Sequence, residues 1–113
     1  MYRNWIREGY LKETPGDVVD YKFIKKYLAN LNKQVGITEL AYDPWNGEQL
    51  AIDLRDDHGI EVIKFGQGYA SMNEPSKEFE KLVLSGRLWH GGNPVMKWMA
   101  NNVSVDTDPA GNI

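Results

Sequence analysis

The sequence of 113 residues contains no cysteine and no long apolar run. The absence of cysteine excludes disulfide bonds and thiolate metal sites. No segment approaches the roughly 18 consecutive apolar residues of a membrane span, and the N-terminal residues do not have the pattern of a signal peptide. We therefore expect a cytoplasmic protein that has no membrane partner.

The sequence also lacks a strong charge of either sign, with a formal net charge of -3. It does not show the whole-domain basic footprint of many nucleic-acid binders, although a local basic face is compatible with this balance. Nucleophile-elbow, P-loop and HExxH motifs are absent. What is present is an apolar fraction of 42% with four tryptophans, which indicates a folded globule. The length predicts a single domain over residues 1–113.

Apolar spacing and end signals predict about four helices. The first follows Asp20 and ends at Gly36, and its lysines form either a solvated face or a phosphate-binding one. The others are predicted from Pro44 to about Asp57, from about Asn73 to Ser85, and from Pro94 onwards. Predicted strands cover residues 37–42 and 60–65. Residues 88–90 are predicted to form a short strand or extended stretch, and residues 5–11 a hairpin turning near Glu8-Gly9. The lysines of the first predicted helix, between Asp20 and Gly36, are Lys22, Lys25, Lys26 and Lys33.

The order strand, helix, strand between residues 37 and 65 predicts a βαβ unit with parallel strands. Since the carboxyl ends of parallel strands meet at one edge, Asp43 and the loop Gly66-Gln67-Gly68 are expected to lie level with each other. Open α/β sheets bind ligands at that edge. The two glycines would let a ligand approach the backbone, but they lack the further glycine of a dinucleotide fingerprint.

Asp43 is the strongest single candidate residue, and two interpretations of it stay open. It could be the N-cap of a helix that begins at once with Pro44. It could also be one oxygen ligand of a hard divalent cation such as magnesium. Magnesium chemistry usually needs two or three carboxylates together, and the sequence indicates no obvious partner.

The other acidic and imidazole candidates are weaker. Asp56-Asp57 is predicted at the far end of the helix that follows Asp43. Asp106 and Asp108 form a D-x-D pattern that more often makes Asx turns than cation sites. His58 is predicted at a helix end, and its sequence context is too far from that of His90 for the two to suggest a zinc pair.

Several short motifs, taken in their order and spacing, resemble one family over nearly the whole chain. They are Thr14-Pro15-Gly16, Ala41-Tyr42-Asp43-Pro44-Trp45, Gly66-Gln67-Gly68, His90-Gly91-Gly92-Asn93-Pro94-Val95, Trp98, Asn101-Asn102 and Asp108 to Asn112. The family is the C-terminal nuclease domain of the large terminase subunit of tailed double-stranded-DNA bacteriophages. The resemblance implies an α/β, ribonuclease H-like fold, here incomplete, with a central sheet built on a βαβ core and flanked by about four helices.

The resemblance also implies a function and partners. The family cuts concatemeric double-stranded phage DNA during packaging, at an acidic cluster that binds magnesium or manganese for two-metal hydrolysis. Asp43 matches the family's acidic residue at the end of the strand after the first helix, which implies a catalytic, metal-binding role. The small terminase subunit and the portal are the implied protein partners.

The family's first aspartate would precede Tyr2 and its last would follow Asn112, so we expect the chain to be an internal piece of a terminase, without the upstream ATPase motor. One carboxylate alone should not support DNA cleavage, and Asp43→Ala should change nothing. A missing strand would leave a sheet edge open to pairing in a homodimer. The alternatives are a small nucleotide-binding module and a structural α/β module without catalysis.

Overall fold

The computed structural model describes residues 1–113 as five helices and two strands, which confirms an α/β chain. In order they are α1 (Tyr2–Arg7), α2 (Tyr21–Val35), β1 (Leu40–Tyr42), α3 (Pro44–His58), β2 (Val62–Lys64), α4 (Tyr69–Leu84) and α5 (Pro94–Asn101). No helix is both long enough and apolar enough to cross a membrane. The chain divides into two compact units. We call Thr14–Gln67 the βαβ unit, and Met1–Glu13 with Gly68–Ile113 the aromatic unit.

The predicted hairpin at residues 5–11 is wrong, because the first of these residues form α1. The turn signal at Glu8-Gly9 was real but belongs to a helix end. Gly9 has φ +87 and donates its N–H to the Ile6 carbonyl, while the Tyr10 N–H reaches the Trp5 carbonyl. These two bonds are those of a Schellman C-cap, which favours glycine at the left-handed position. The chain consequently has five helices where about four were predicted.

Helix α2 begins and ends where the sequence predicts. The Asp20 side chain accepts a hydrogen bond from the Phe23 N–H at 3.1 Å, satisfying one of the free donors of the first turn. Gly36 ends the helix in the left-handed conformation, with φ 66. Ala29 is buried, and the apolar stripe of α2 that contains it continues through half-buried Ile24, Leu28 and Leu31. The helical spacing of the apolar residues also predicts Tyr27 and Val35 for this stripe, but both are exposed.

The predicted βαβ arrangement is confirmed, although its strands are shorter than predicted. β1 and β2 pair in parallel, with Leu40 opposite Val62 and Tyr42 opposite Lys64. The chain contains no further strand, so each of the two has one edge without a sheet partner. Leu54 and Ile60 are each only 1% exposed and form the core of this unit together with Ala51.

Three aromatic rings give the aromatic unit its packing centre. Trp5 of α1 is 9% exposed and meets Tyr2 at 5.7 Å and Trp98 of α5 at 6.0 Å, measured between ring centroids. Tyr2 and Trp98 lie 5.9 Å apart, and all three contacts are edge to face. Such pairs are favoured by the ring quadrupoles beyond their burial.

Helices α4 and α5 differ from prediction in detail. α4 begins at Tyr69, four residues before the predicted start, and continues through Pro75. The helical spacing of its apolar residues predicts Phe79, Leu82 and Val83 as core positions, but Phe79 and Val83 are exposed and only Leu82 is half-buried. α5 begins at Pro94 as predicted, with the Asn93 side chain accepting from two backbone N–H groups. Residues 88–90 form no strand.

Candidate functional site

Asp43 lies directly after β1, at the carboxyl edge of the parallel pair. Its Oδ1 accepts a hydrogen bond from the Trp45 N–H at 3.0 Å. The helix does not continue at once, because Trp45 (φ -70, ψ 110) and Asn46 (φ 62, ψ 0) are not helical. These angles are those of a type II turn, so α3 begins at Pro44, as the sequence predicts, but is interrupted at Trp45 and Asn46.

This geometry leaves both interpretations of Asp43 chemically compatible. One oxygen closes the local turn, as a capping carboxylate does. The other oxygen, Oδ2, accepts no hydrogen bond from the protein, and the residue is exposed. Asp43 can therefore present one free carboxylate oxygen to a ligand while the first oxygen holds the turn.

A second carboxylate, Glu48, lies close to the strand ends but is engaged by its neighbours. The Tyr42 hydroxyl donates to Glu48 Oε2 at 3.2 Å, and Lys64 Nζ lies 3.5 Å from Glu48 Oε1. Partial burial raises the pKa of the Tyr42 phenol, and the Glu48 carboxylate adds to this effect. The phenol therefore stays protonated and keeps donating to Glu48.

Sequence reasoning missed Glu48 and Lys64 as members of this edge. A signal for Lys64 existed, because parallel pairing of the two predicted strands places the end of the second beside the end of the first. No comparable signal existed for Glu48. Its position depends on the turn at Trp45 and Asn46, which shifts the following helix relative to the strand.

A cleft of about 240 Å³ opens on the βαβ unit between the starts of α2 and α3. Lys25 Nζ lies 3.7 Å from Asp53 Oδ2, and the Gln49 side-chain amide donates to Asp53 Oδ1 at 2.9 Å. Lys22 forms no ion pair. The cleft therefore carries one uncompensated positive charge. It is lined by Tyr21, Lys22, Lys25, Asn46, Gln49, Leu50 and Asp53.

Two of the weaker acidic candidates, Asp56 and Asp108, have structural partners. Asp56 pairs with Arg55 at 3.0 Å near the far end of α3, and this contact raises the pKa of the Arg55 guanidinium. Asp108 accepts hydrogen bonds from Ala110 and Asn112 in a tight turn, the Asx arrangement that the sequence favoured over a cation site. No group of three or more carboxylate or imidazole side chains that could hold a metal ion occurs in the chain, and His58 and His90 belong to none.

The glycine-flanked loop after β2 lies at the same edge of the pair as Asp43, as the parallel arrangement requires. Its Gln67 side chain donates to the Phe65 carbonyl at 3.1 Å, which holds the side chain against its own backbone. Gly68 is the N-cap of α4 and provides no side-chain cap.

Comparison with known proteins shows the family of the chain. A sequence model of the family described as "Terminase large subunit, endonuclease domain" matches residues 1–113. The terminase large subunit of Enterobacteria phage HK97 is 38% identical over 113 residues, covering 98% of this chain and 22% of that protein. Protein YmfN of Escherichia coli strain K12 is 35% identical over 108 residues, covering 96% of this chain and 24% of the relative.

A solved structure gives the same result. The crystal structure of the HK97 bacteriophage large terminase matches with a TM-score of 0.86 and 38% sequence identity, over 98% of this chain and 23% of the terminase chain. The chain thus spans less than a quarter of the length of the relatives it matches. It belongs to the endonuclease-domain family of terminase large subunits.

Proposed function

We propose that this chain is part of the nuclease of a complete large subunit, which cuts concatemeric double-stranded phage DNA in a metal-dependent reaction. The observation that carries the proposal is the position of Asp43 at the carboxyl end of β1, in a chain that matches the family along its whole length. Active sites of open α/β sheets lie at such strand ends. In the proposal, the chain forms part of a ribonuclease H-like fold in the host cytoplasm.

Asp43 is the residue that would bind the metal, with its free Oδ2 as one oxygen ligand of magnesium or manganese. A two-metal site needs several carboxylates to fix both ions, and the residues of this chain do not form such a group. Glu48 is already bound by Tyr42 and Lys64. The donor set therefore fits one ligand of a larger cluster and does not fit a complete site, so we propose that the chain alone does not cleave DNA.

The metal-binding part is tested by titrating the ¹⁵N-labelled chain with Mn²⁺, which broadens the amide signals of nearby residues. We expect weak, selective broadening around Tyr42 to Asn46 that excess Mg²⁺ reverses. Asp43→Asn should abolish it, since the asparagine oxygen can still accept the Trp45 N–H while the charge is lost. Asp57→Asn, at the other end of α3, is the matched control and should leave the broadening unchanged. Broadening that survives in Asp43→Asn would overturn the assignment.

The catalytic part is tested with supercoiled plasmid in the presence of Mg²⁺ or Mn²⁺. The plasmid should remain intact with the wild-type chain and with Asp43→Ala alike. Metal-dependent nicking by the wild-type chain that the substitution abolishes would show a complete site and contradict the proposal of one ligand.

The proposed partners beyond DNA are the small terminase subunit and the portal in the parent assembly, and a second copy of this chain. Pairing with a second copy is proposed because the outer edges of the two-stranded sheet carry unpaired backbone groups. The Leu40 N–H donates to the Glu61 carbonyl, and the Phe65 N–H donates to the Tyr42 carbonyl. In the alternating pattern of a parallel pair, the Ala41 N–H between them therefore faces outwards.

Light scattering over a wide concentration range tests the homodimer. The apparent mass should double with concentration, and Ala41→Pro should suppress the dimer because proline removes an outward donor without removing a bond to β2. A monomer at every concentration would exclude pairing through this edge.

A further inference from the structure

Trp45 is 81% exposed although tryptophan is among the residues that proteins bury most extensively on average. Two of the four tryptophans, Trp5 and Trp98, contact each other and Tyr2 in the aromatic unit. Only Trp89, at 92%, is as exposed as Trp45. The folded chain thus gains little from burying the Trp45 indole, and its large flat face is available to a ligand.

The backbone that carries Trp45 is fixed on both sides. On its N-terminal side, the proline ring fixes the φ of Pro44. The Trp45 N–H donates a hydrogen bond to the Asp43 carboxylate at 3.0 Å. After it, Asn46 adopts φ 62, the only positive φ of a residue other than glycine in the chain. Left-handed residues of this kind cost about 1–3 kcal/mol and concentrate at binding and active sites. A side chain on such a turn loses less conformational entropy on binding than one on a mobile loop.

The residue after Trp45 lies beside a cleft that contains cations. Asn46 lines the cleft that also contains Lys22 and Lys25. Asp53 compensates Lys25 at 3.7 Å, whereas Lys22 is exposed and has no ion pair. The site therefore combines one exposed aromatic face with one available positive charge beside an open cleft.

An exposed aromatic face beside a cationic groove is the arrangement by which proteins hold single-stranded nucleic acid, because any base can stack on the ring while the cation contacts a phosphate. A base inside an intact duplex is already stacked on both faces and cannot use such a ring. We propose that Trp45 stacks on an unpaired base of single-stranded DNA and that Lys22 contacts a neighbouring phosphate. This inference rests on the proposed function, since it names the form of DNA that contacts the surface next to Asp43.

The test uses fluorescence of the full chain with a 12-nucleotide oligothymidylate, in a pair of variants that each keep one exposed tryptophan. Trp89→Phe keeps Trp45, and its emission should be quenched on titration. Trp45→Phe keeps Trp89 and should show no quenching. An abasic oligonucleotide of equal length has the phosphates without the bases, so it should not quench either variant. Circular dichroism of both variants verifies that the fold is kept.

Affinity measurements separate the two contacts. Trp45→Ala should weaken oligothymidylate binding about 5- to 140-fold, the change that corresponds to about 1–3 kcal/mol per stacked base. Lys22→Ala should reduce the slope of log Kd against log salt concentration by about 0.7, the value for one phosphate contact on a single strand. Trp89→Ala is the matched control for Trp45→Ala, and Lys33→Ala, at the far end of α2, is the control for Lys22→Ala. Both controls should leave the affinity and the salt slope unchanged.

A blunt duplex in the same assay distinguishes failure of this inference from failure of the proposed function. Binding of the duplex without selective quenching of Trp45 by the single strand would overturn the stacking site and leave the proposed function intact. Equal quenching of both variants would also overturn the site. Absence of binding to either form of DNA would overturn the stacking site, whereas the proposed function, which concerns a complete large subunit, is decided by the Mn²⁺ and plasmid tests above.

Discussion

The Asp108 carboxylate accepts hydrogen bonds from both the backbone N–H and the side-chain amide of Asn112, at 2.8 and 2.9 Å. The Ala110 N–H adds a third bond at 3.0 Å. These bonds close a turn after α5, and the following Ile113 N–H donates to the Asn73 side chain of α4. A polar stretch without regular secondary structure is thereby ordered through one carboxylate.

The order of this turn should depend on pH. Hydrogen bonds from Asn112 lower the pKa of the Asp108 carboxyl below its ordinary value of 3.8. A lowered folded-state pKa gives stability that is present above 3.8 and lost as pH falls through the folded value. We expect the carboxyl ¹³C shift of Asp108 to titrate below 3.8, together with the Asn112 amide shift. Asp108→Asn should remove this transition, and a midpoint at or above 3.8 would contradict the assignment.

Removing the central ring of the aromatic unit should strongly destabilise that unit. Trp5→Ala should lower its free energy of unfolding by about 3–5 kcal/mol, the usual cost of deleting a buried tryptophan. Urea denaturation followed by Trp98 fluorescence measures the effect. Trp89→Ala is the matched control and should change the free energy by less than about 0.5 kcal/mol, because its side chain is solvated. Similar losses in the two variants would show that the ring cluster is not the centre of the unit.

The βαβ unit offers a matched leucine test of its own core. Leu54 is 1% exposed, so Leu54→Ala should cost about 2–5 kcal/mol of unfolding free energy. Leu84, at the end of α4, is 79% exposed, and Leu84→Ala should be nearly neutral. Hydrogen exchange of the α3 amides measures the effect of Leu54→Ala. Unchanged protection there would contradict the placement of Leu54 in the core.

Two glycines should respond to alanine with opposite signs. Gly9 has φ +87, where a Cβ costs about 1–2 kcal/mol, so Gly9→Ala should destabilise α1. Gly47 lies in α3 without a positive φ, and an added Cβ would lie 3.5 Å from Tyr42 Cδ2, which is ordinary van der Waals contact. Gly47→Ala should therefore stabilise by about 0.4–1 kcal/mol, because alanine restricts the unfolded chain more than glycine does. Urea midpoints of the two variants test the difference, and equal shifts would refute the C-cap at Gly9.

The turn after Asp43 can be tested at Asn46. Asn46→Gly should be tolerated, since glycine adopts φ 62 without steric cost, whereas Asn46→Val should destabilise by more than about 1 kcal/mol because a β-branched residue is disfavoured there. Thermal unfolding compares the two variants. If valine were accepted as readily as glycine, the segment after Pro44 would be helical.

The end signals of helices were the most dependable part of the sequence. Asp20, Gly36 and Asn93 act locally, through hydrogen bonds to neighbouring backbone groups and a left-handed φ, so their roles could be predicted without knowledge of the rest of the fold. The parallel pairing around Asp43 could be predicted for a similar reason, because a short crossover permits few arrangements.

The failures have physical causes that the local sequence does not contain. The Glu8-Gly9 signal fits a hairpin and a helix C-cap equally well, and contact of Trp5 with Trp98 favours the helix. The interrupted start of α3 depends on the left-handed Asn46, which asparagine adopts only in a minority of its occurrences. The contact of Glu48 with Lys64 could not be expected before that interruption was known.

The division of the chain into units has a consequence for folding during synthesis. Thr14–Gln67 is one continuous segment, whereas the aromatic unit joins Met1–Glu13 to Gly68–Ile113. Since Trp98 leaves the ribosome long after Trp5, the βαβ unit can fold on the emerging chain while α1 still has no tryptophan to pack against. Helix α1 is therefore translated before the βαβ unit but acquires its tertiary contacts after that unit can fold.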